Sequence, residues 1–402
     1  MTENTLQHRL ALLHAETPSH SLAGTSIGQR LACLGTSAGH LRRPAADHEV
    51  AARLGGRIAA DHVIVIEREI PLASNHGRAP LAGITQLPEV PWLQRHDPRH
   101  FVFIDTETTG LAGGTGTMAF LVGAARIDGR HLRVRQYFLT AFAGEPAALD
   151  HIERWAGGET HLVSYNGKRF DLPLLAARYR LAGSRDPFAG LPHLDLLHPV
   201  RTAFRTRWPD CRLATVEHRL LGFARTNDLP GAAMPGAWLE FLRGGHLGIL
   251  PAILEHNLHD VVSLAALMPA LAAAYSGTGG IAEPDAAAVA RAWSRAGMPK
   301  RALRRLNEAR ERLDEAGLLE LARLHRRDAD WGAAVRIWDD LAHRGSIEAI
   351  ERLAIYHEHV AKDPSAAAVL AERLGRREPG AAPHLRRIER LDRKLRQARI
   401  SA

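Results

Sequence analysis

Apolar and polar positions divide the chain into three unlike parts. Through residue 98 the pattern is irregular. Leu6 to Leu13 has the spacing of a short helix, Pro18 to Leu54 has no clear period, and Val63-Ile64-Val65-Ile66 predicts a strand that Glu67 to Leu72 continues. A loop at Asn75-His76-Gly77-Arg78 follows; substrate contact by His76 is the alternative there to plain exposure, which is expected, and the region is assigned no chemistry. Pro88, Pro91 and Pro98 mark a turn-rich connection. From residue 99 to 276 short apolar runs alternate with helical ones. Phe101-Val102-Phe103-Ile104 predicts a buried strand, and Met118 to Ile127 and His131 to Thr140 predict two more, joined at Asp128-Gly129, a strong hairpin signal. Ala147 to Trp155 predicts a helix, Leu162 to Tyr165 a strand, and Gly231 to Gly245 a loop with short helical pieces around Trp238 and Phe241. Ile249 to Ala274 predicts a long helix, because Ile253, Leu254, Leu258, Val261, Val262 and Leu264 follow the helical period.

That order of elements predicts an α/β fold, a mixed sheet flanked by helices. Beyond Pro284 the chain is rich in Ala, Arg and Leu. Ala290, Ala322 and Ala354 recur every 32 residues, which predicts helix-pair repeats of the tetratricopeptide kind with Trp293, Leu324 and Tyr356 at packing positions. The organisation is thus an N-terminal region (1–98), an α/β domain (99–276) and an all-α helical repeat domain (283–402) with a basic last helix.

The candidate chemistry lies in the middle part. Asp105 and Glu107 follow the first buried strand two positions apart, so both side chains project to one face. Two negative charges so close are stable when a divalent cation holds them, and oxygen ligands suit Mg²⁺ or Mn²⁺; two solvated acids before a turn is the competing reading. Asp171 stands at a strand-to-helix junction with Pro173 in the first turn, where capping the helix is the alternative to binding metal. On the long helix His256 and Asp260 are four apart and share a face, while His259 points elsewhere. An imidazole there is a candidate base for an attacking water. Lys168 and Arg169 beside Asp171 suit phosphate contact. The glycine cluster after Leu111 lacks the Gly-Lys-Ser/Thr ending of a P-loop; with Thr108, Thr109 and Gly110 it offers either a close approach to phosphate or a tight turn. Arg201, Arg205, Arg207, Arg212 and Arg219 surround Trp208, as in a single-strand track where a base stacks on the ring, or on an exposed helix face. Asp195 is read as structural.

Composition changes this picture modestly. The net charge is +8 with a sequence pI near 10.0, a balance that favours polyanionic partners, although arginine-rich coding bias yields the same sign. Two separated cysteines predict neither a disulfide framework nor a zinc site. The most apolar run, Leu264 to Ala274, is expected to be too short and Pro-interrupted to cross a bilayer, so a cytoplasmic protein without a membrane partner is expected.

Phe-Ile-Asp-Thr-Glu-Thr-Thr-Gly-Leu, then Tyr-Asn-Gly-Lys-Arg-Phe-Asp, then Glu-His-Asn-Leu-His-Asp-Val-Val-Ser-Leu occur in order between residues 60 and 275. This succession resembles the DEDD (DnaQ-like) exonuclease superfamily and, more narrowly, its YprB-type (MrfB-like) branch. The resemblance implies a ribonuclease H-like fold and a 3′-to-5′ exonuclease that hydrolyses DNA in DNA repair with two Mg²⁺ or Mn²⁺ ions. It implies Asp105, Glu107 and Asp260 as main ligands, Asp171 completing the second site, and His256 as base. Thr108, Thr109, Gly110, Leu111, Asn166, Lys168 and Arg169 would contact nucleic acid, with Leu111 as a wedge against the terminal base. A DNA-repair helicase is the implied partner of the repeats. The chain departs from the pattern at one point: the superfamily's histidine lies five residues before the last Asp, and here it lies four before. An exoribonuclease and a non-catalytic nucleic-acid-binding scaffold are the rival readings.

Overall fold

The structure is a computed structural model, and the residues it describes are 45–93, 97–110, 116–156, 161–226, 229–244, 247–278 and 282–401. Leu6 to Leu13, Leu111 and the first glycines after it lie outside them. After α1 (Asp47–Leu54), strands β1 (Arg57–Ala60) and β2 (Val63–Pro71) enter a seven-stranded sheet, and β3 (Asn75–His76) and β4 (Ala79–Pro80) form a separate small ribbon. The sheet continues with β5 (Phe101–Thr108), β6 (Ala119–Asp128), β7 (His131–Leu139), β8 (His161–Ser164) and β9 (His193–Asp195), in the order β1-β2-β7-β6-β5-β8-β9. β6 and β7 turn at Gly129, whose φ of 58° is the left-handed conformation the Asp-Gly signal predicts. β5 pairs antiparallel to β6 and parallel to β8, so the sheet is mixed, as expected.

Alternation along β5 decides what covers each face. Val102 and Ile104 pack with Leu149, Ile152 and Trp155 of α2 (Glu145–Ala156) and Leu175 and Tyr179 of α3 (Asp171–Leu181). Phe101 and Phe103 join the opposite core, which also holds Val200, Ala203 and Phe204 of α4 (Leu197–Phe204) and Val216 of α5 (Leu213–Val216). The stretch 231–244 is more regular than expected: α6 (Met234–Leu242) buries Trp238 and Phe241 against Ile64, Phe120 and Phe138. Its indole stacks on Phe120 at 5.0 Å, and this burial favours a continuous helix.

The long helix α7 (Leu250–Ser276) crosses the Phe103 face. It runs through Pro269, so the expected interruption does not occur. By length and composition Leu247–Ser276 matches a membrane span, yet 72% of its apolar window is buried inside the protein, as in a core helix.

The C-terminal region is helical throughout its described elements: α8 (Ala286–Arg295), α9 (Pro299–Glu308), α10 (Glu315–Arg327), α11 (Trp331–His343), α12 (Ile347–His359), α13 (Pro364–Arg377) and α14 (Ala382–Ser401). Asp285, Asp314, Asp330, Ser346 and Asp363 start five of these helices, each accepting a backbone N–H three residues on. Trp293 and Leu324 are buried and Tyr356 packs against Trp331. The core is continuous with the sheet region: Trp293 Nε1 donates to the Tyr275 carbonyl at 3.2 Å and Asp285 N to the Ala203 carbonyl at 2.7 Å. On α14, Arg390 and Lys394 pair with the buried Glu358, and Arg387 lies 3.7 Å from Glu351, so these cations dock the helix.

Candidate active site

Three elements bring the acidic residues together. β5 ends with Asp105 and Glu107 on the face that α7 covers, and α7 carries His256, Asn257, Asp260 and Ser263. Thr106 has the opposite side-chain direction and donates to Asp171, the first residue of α3. Asp171 therefore does not cap its helix; Phe170 holds the cap position and no side-chain cap bond is made there.

His256 Nε2 lies 3.4 Å from Asp260 Oδ2 and 3.7 Å from Glu107 Oε1. Glu107, His256 and Asp260 each present a ligand atom, all within 4.8 Å of one another. Asp105 joins them electrostatically. Burial first, then the charges of Asp260, Asp171 and Glu107, hold its carboxyl well above the usual carboxylate range. Burial pushes Asp171 up to about 6 against the hydrogen bond from Thr106, and raises Asp260 against the pull of Arg225 and His256. The donor set fits a divalent cation: it is made of hard oxygens and an imidazole, and the buried carboxyls resist ionising together until a positive charge arrives.

Two residues without a sequence assignment complete the cluster. Asn257 is fully buried, donates Nδ2 to Asp105 Oδ2 at 2.9 Å, and accepts from Gln136 Nε2 at 2.9 Å. It fits only because position 123, paired with Asp105 across β5 and β6, is glycine; a Cβ there would lie 2.1 Å from Asn257 Oδ1. Arg225, whose side chain is 8% exposed, contacts Asp260 Oδ1, spans Glu217 with bonds of 2.9 and 2.7 Å, and approaches His256 Nδ1 at 3.3 Å. A polar residue inside an apolar helical stretch was the available signal for Asn257. None marked Arg225.

Other expected contacts divide. Lys168, Arg169 and Phe170 form an exposed cationic and aromatic corner next to Asp171. Asn166, at φ 67°, starts this turn, and buried Asp195 accepts from the backbone N–H groups of Asn166, Lys168 and Leu197, the structural role expected of it. The Thr108 hydroxyl donates to the Gly110 carbonyl and the Thr109 hydroxyl accepts from Met118 N, so both close their own loop. Trp208 corrects the proposed track. It is buried and stacked on Phe204 at 4.0 Å with 7° between planes, which leaves no open face for a base there. His76 is likewise buried, its Nε2 2.8 Å from Ser263 Oγ, and burial lowers it to about 4. His259 pairs with Glu255 at 3.1 Å, away from the cluster.

Residues 102–272 match the RNase H superfamily model. The chain is 31% identical over 336 residues to the uncharacterized protein YprB of Bacillus subtilis (strain 168), covering 78% of this chain and 80% of that one. With a buried acidic cluster at the end of the mixed sheet, the match supports a nuclease domain that hydrolyses nucleic acid with divalent metal. The chain belongs to the YprB family and its middle part to the RNase H superfamily.

Proposed function

We propose that the protein is a 3′-to-5′ exonuclease that degrades DNA during repair, with a helicase docked on its C-terminal helices, which serve as tetratricopeptide-like repeats, and that it works in the cytoplasm. The observation that carries the reading is the convergence of Asp105, Glu107, Asp171 and Asp260 from β5, α3 and α7 on one end of the sheet. Asp105, Glu107 and Asp260, completed by Asp171, would hold two Mg²⁺ or Mn²⁺ ions. Such ions supply an activated water and stabilise the leaving oxygen.

The chain's own groups do the rest. Asn257 orients Asp105 and Thr106 orients Asp171. Lys168 and Arg169 offer cations to the strand's phosphates, and Phe170, 51% exposed beside Asp171, offers a ring to a terminal base. His256, whose Nε2 faces Glu107 and Asp260, would take the proton from water.

The test uses DNA and RNA strands of one sequence, labelled at either end, with Mg²⁺, Mn²⁺ or chelator. Stepwise loss from the 3′ end of DNA, stopped by chelator, is expected. Release of 5′-terminal nucleotides first, preferential loss of RNA, or undiminished cleavage in chelator refutes the proposal in direction, substrate or metal dependence respectively.

A further inference from the structure

We propose that Arg225 is the positioning residue of the metal site, holding one oxygen of Asp260 so that the other alone is presented to the cation. This rests on the metal-dependent reading above and adds to it a residue outside the ligand set.

Arg225 follows α5 and a π-turn over Glu217–Leu221, far from β5 in sequence. The guanidinium is buried between Glu217, itself 1% exposed, and the metal-site face of α7. A pair that served only to close this turn on itself would need Glu217 alone. Here the guanidinium extends to Asp260 Oδ1 and His256 Nδ1 as well. Asp260 Oδ2 is then the oxygen that faces His256 and, beyond it, Glu107. A planar guanidinium with five donors in fixed directions suits this task, whereas an ammonium reaches fewer acceptors in less fixed geometry.

Arg225 is itself held from behind. Ser263 Oγ donates to Glu217 Oε1 at 2.5 Å and lies 2.8 Å from His76 Nε2, so the support runs back to the β3–β4 ribbon. The ribbon docks on the turn that precedes Arg225: Arg78 N donates to the Leu221 carbonyl at 2.6 Å. Gly77, at φ 62°, allows that approach, since a Cβ there would lie 2.4 Å from the Leu221 oxygen. Three segments distant in sequence, the ribbon, the turn that carries Arg225 and α7 itself, therefore converge behind one carboxylate oxygen.

The test measures Mn²⁺ binding directly, by electron paramagnetic resonance and calorimetry on the full chain without nucleic acid. Replacing Arg225 alone with an apolar residue leaves Glu217 buried and unpaired, so the informative variants are R225K, which keeps the charge, and R225M/E217Q, which removes both charges of the pair. Thermal unfolding in chelator identifies the folded variants. Supporting partners of metal ligands typically contribute 10- to 100-fold to metal affinity, and a Kd for Mn²⁺ raised by about that factor is expected in either folded variant. R225K should also lower kcat while leaving KM for the strand near wild type. A folded variant of either kind that binds Mn²⁺ as tightly as wild type overturns the positioning role, with the metal reading intact. A wild-type protein that binds no Mn²⁺ overturns the metal reading and this inference together.

Discussion

Gly123→Ala is the sharpest perturbation of the site that adds no charge and touches none of the acidic residues. The new Cβ would meet Asn257 at 2.1 Å from Oδ1, 2.8 Å from Cγ and 2.9 Å from Nδ2, where ordinary contact begins at 3.4 Å. Asn257 must retreat, and it has little room, because Gln136 Nε2 bonds its oxygen on one side and Asp105 Oδ2 accepts from its nitrogen on the other. Overpacking of this kind costs about 1–3 kcal/mol. Each buried hydrogen bond lost adds about 1 kcal/mol. The expected destabilisation is therefore about 2–4 kcal/mol, measured by denaturant unfolding at fixed pH. Metal-dependent hydrolysis should fall about 10- to 100-fold, because Asp105 loses its orienting partner. Combining the change with Asn257→Ala removes the group that is struck, so the pair should be less destabilised than the sum of the single changes by about 1 kcal/mol or more. Additive costs would refute the account of Gly123, and wild-type hydrolysis by a folded Gly123→Ala protein would refute the role given to Asn257.

The remaining predictions concern the ligands, the imidazole and the last helix. Asp105→Ala and Asp260→Ala should each abolish Mg²⁺- or Mn²⁺-dependent hydrolysis while circular dichroism shows a folded chain; undiminished turnover in either removes that residue from the site. His256→Ala should lower kcat by about 10²-fold or more, and a variant that keeps most of its rate shows that another group takes the proton. Glu358, fully buried, is lowered to about 2 chiefly by its hydrogen bonds with Arg390 and then Lys394. A carboxylate depressed on folding stabilises above its ordinary value of 4.5 and loses that contribution as the pH falls toward 2. Protection of the α14 amides, taken as the ratio of intrinsic to observed exchange at each pH, should therefore fall over that window, and Glu358→Gln should already be less protected at neutral pH; equal protection of the two proteins at pH 7 contradicts the docking role.

What sequence could reveal followed from spacing. The run Phe101–Ile104 followed by acids two apart, the Asp-Gly hairpin, and His256 four residues before Asp260 each express a local period, and the folded chain keeps those local relations. Asn257, Arg225, Glu217 and His76 depend on contacts between segments 30 to 190 residues apart, where no period operates; Asn257 with Asp105 and His76 with Ser263 are separated by 152 and 187 residues. Trp208 shows the converse: an aromatic among arginines reads alike whether its ring faces solvent or, as here, stacks on Phe204 inside the core. The stretch 231–244 reads as mostly loop because Gly231, Pro235, Gly236 and Gly244 disfavour a helix locally, and burial of Trp238 and Phe241 overrides those residues.

The β2–β7 ladder pairs nine residues of β2 with nine of β7, from Val63 with Leu139 to Pro71 with His131. Cooperative unfolding should therefore ignore the point at residue 102 where the superfamily match begins. A fragment starting there would expose the whole edge of β7 to other chains, uncover Phe138 and Phe120 by removing Ile64 and Ile66 from their shared core, and deprive Ser263 of His76. Such a fragment would aggregate before it could be assayed, and an inactive preparation of it would report on the missing strands rather than on the chemistry of the acids.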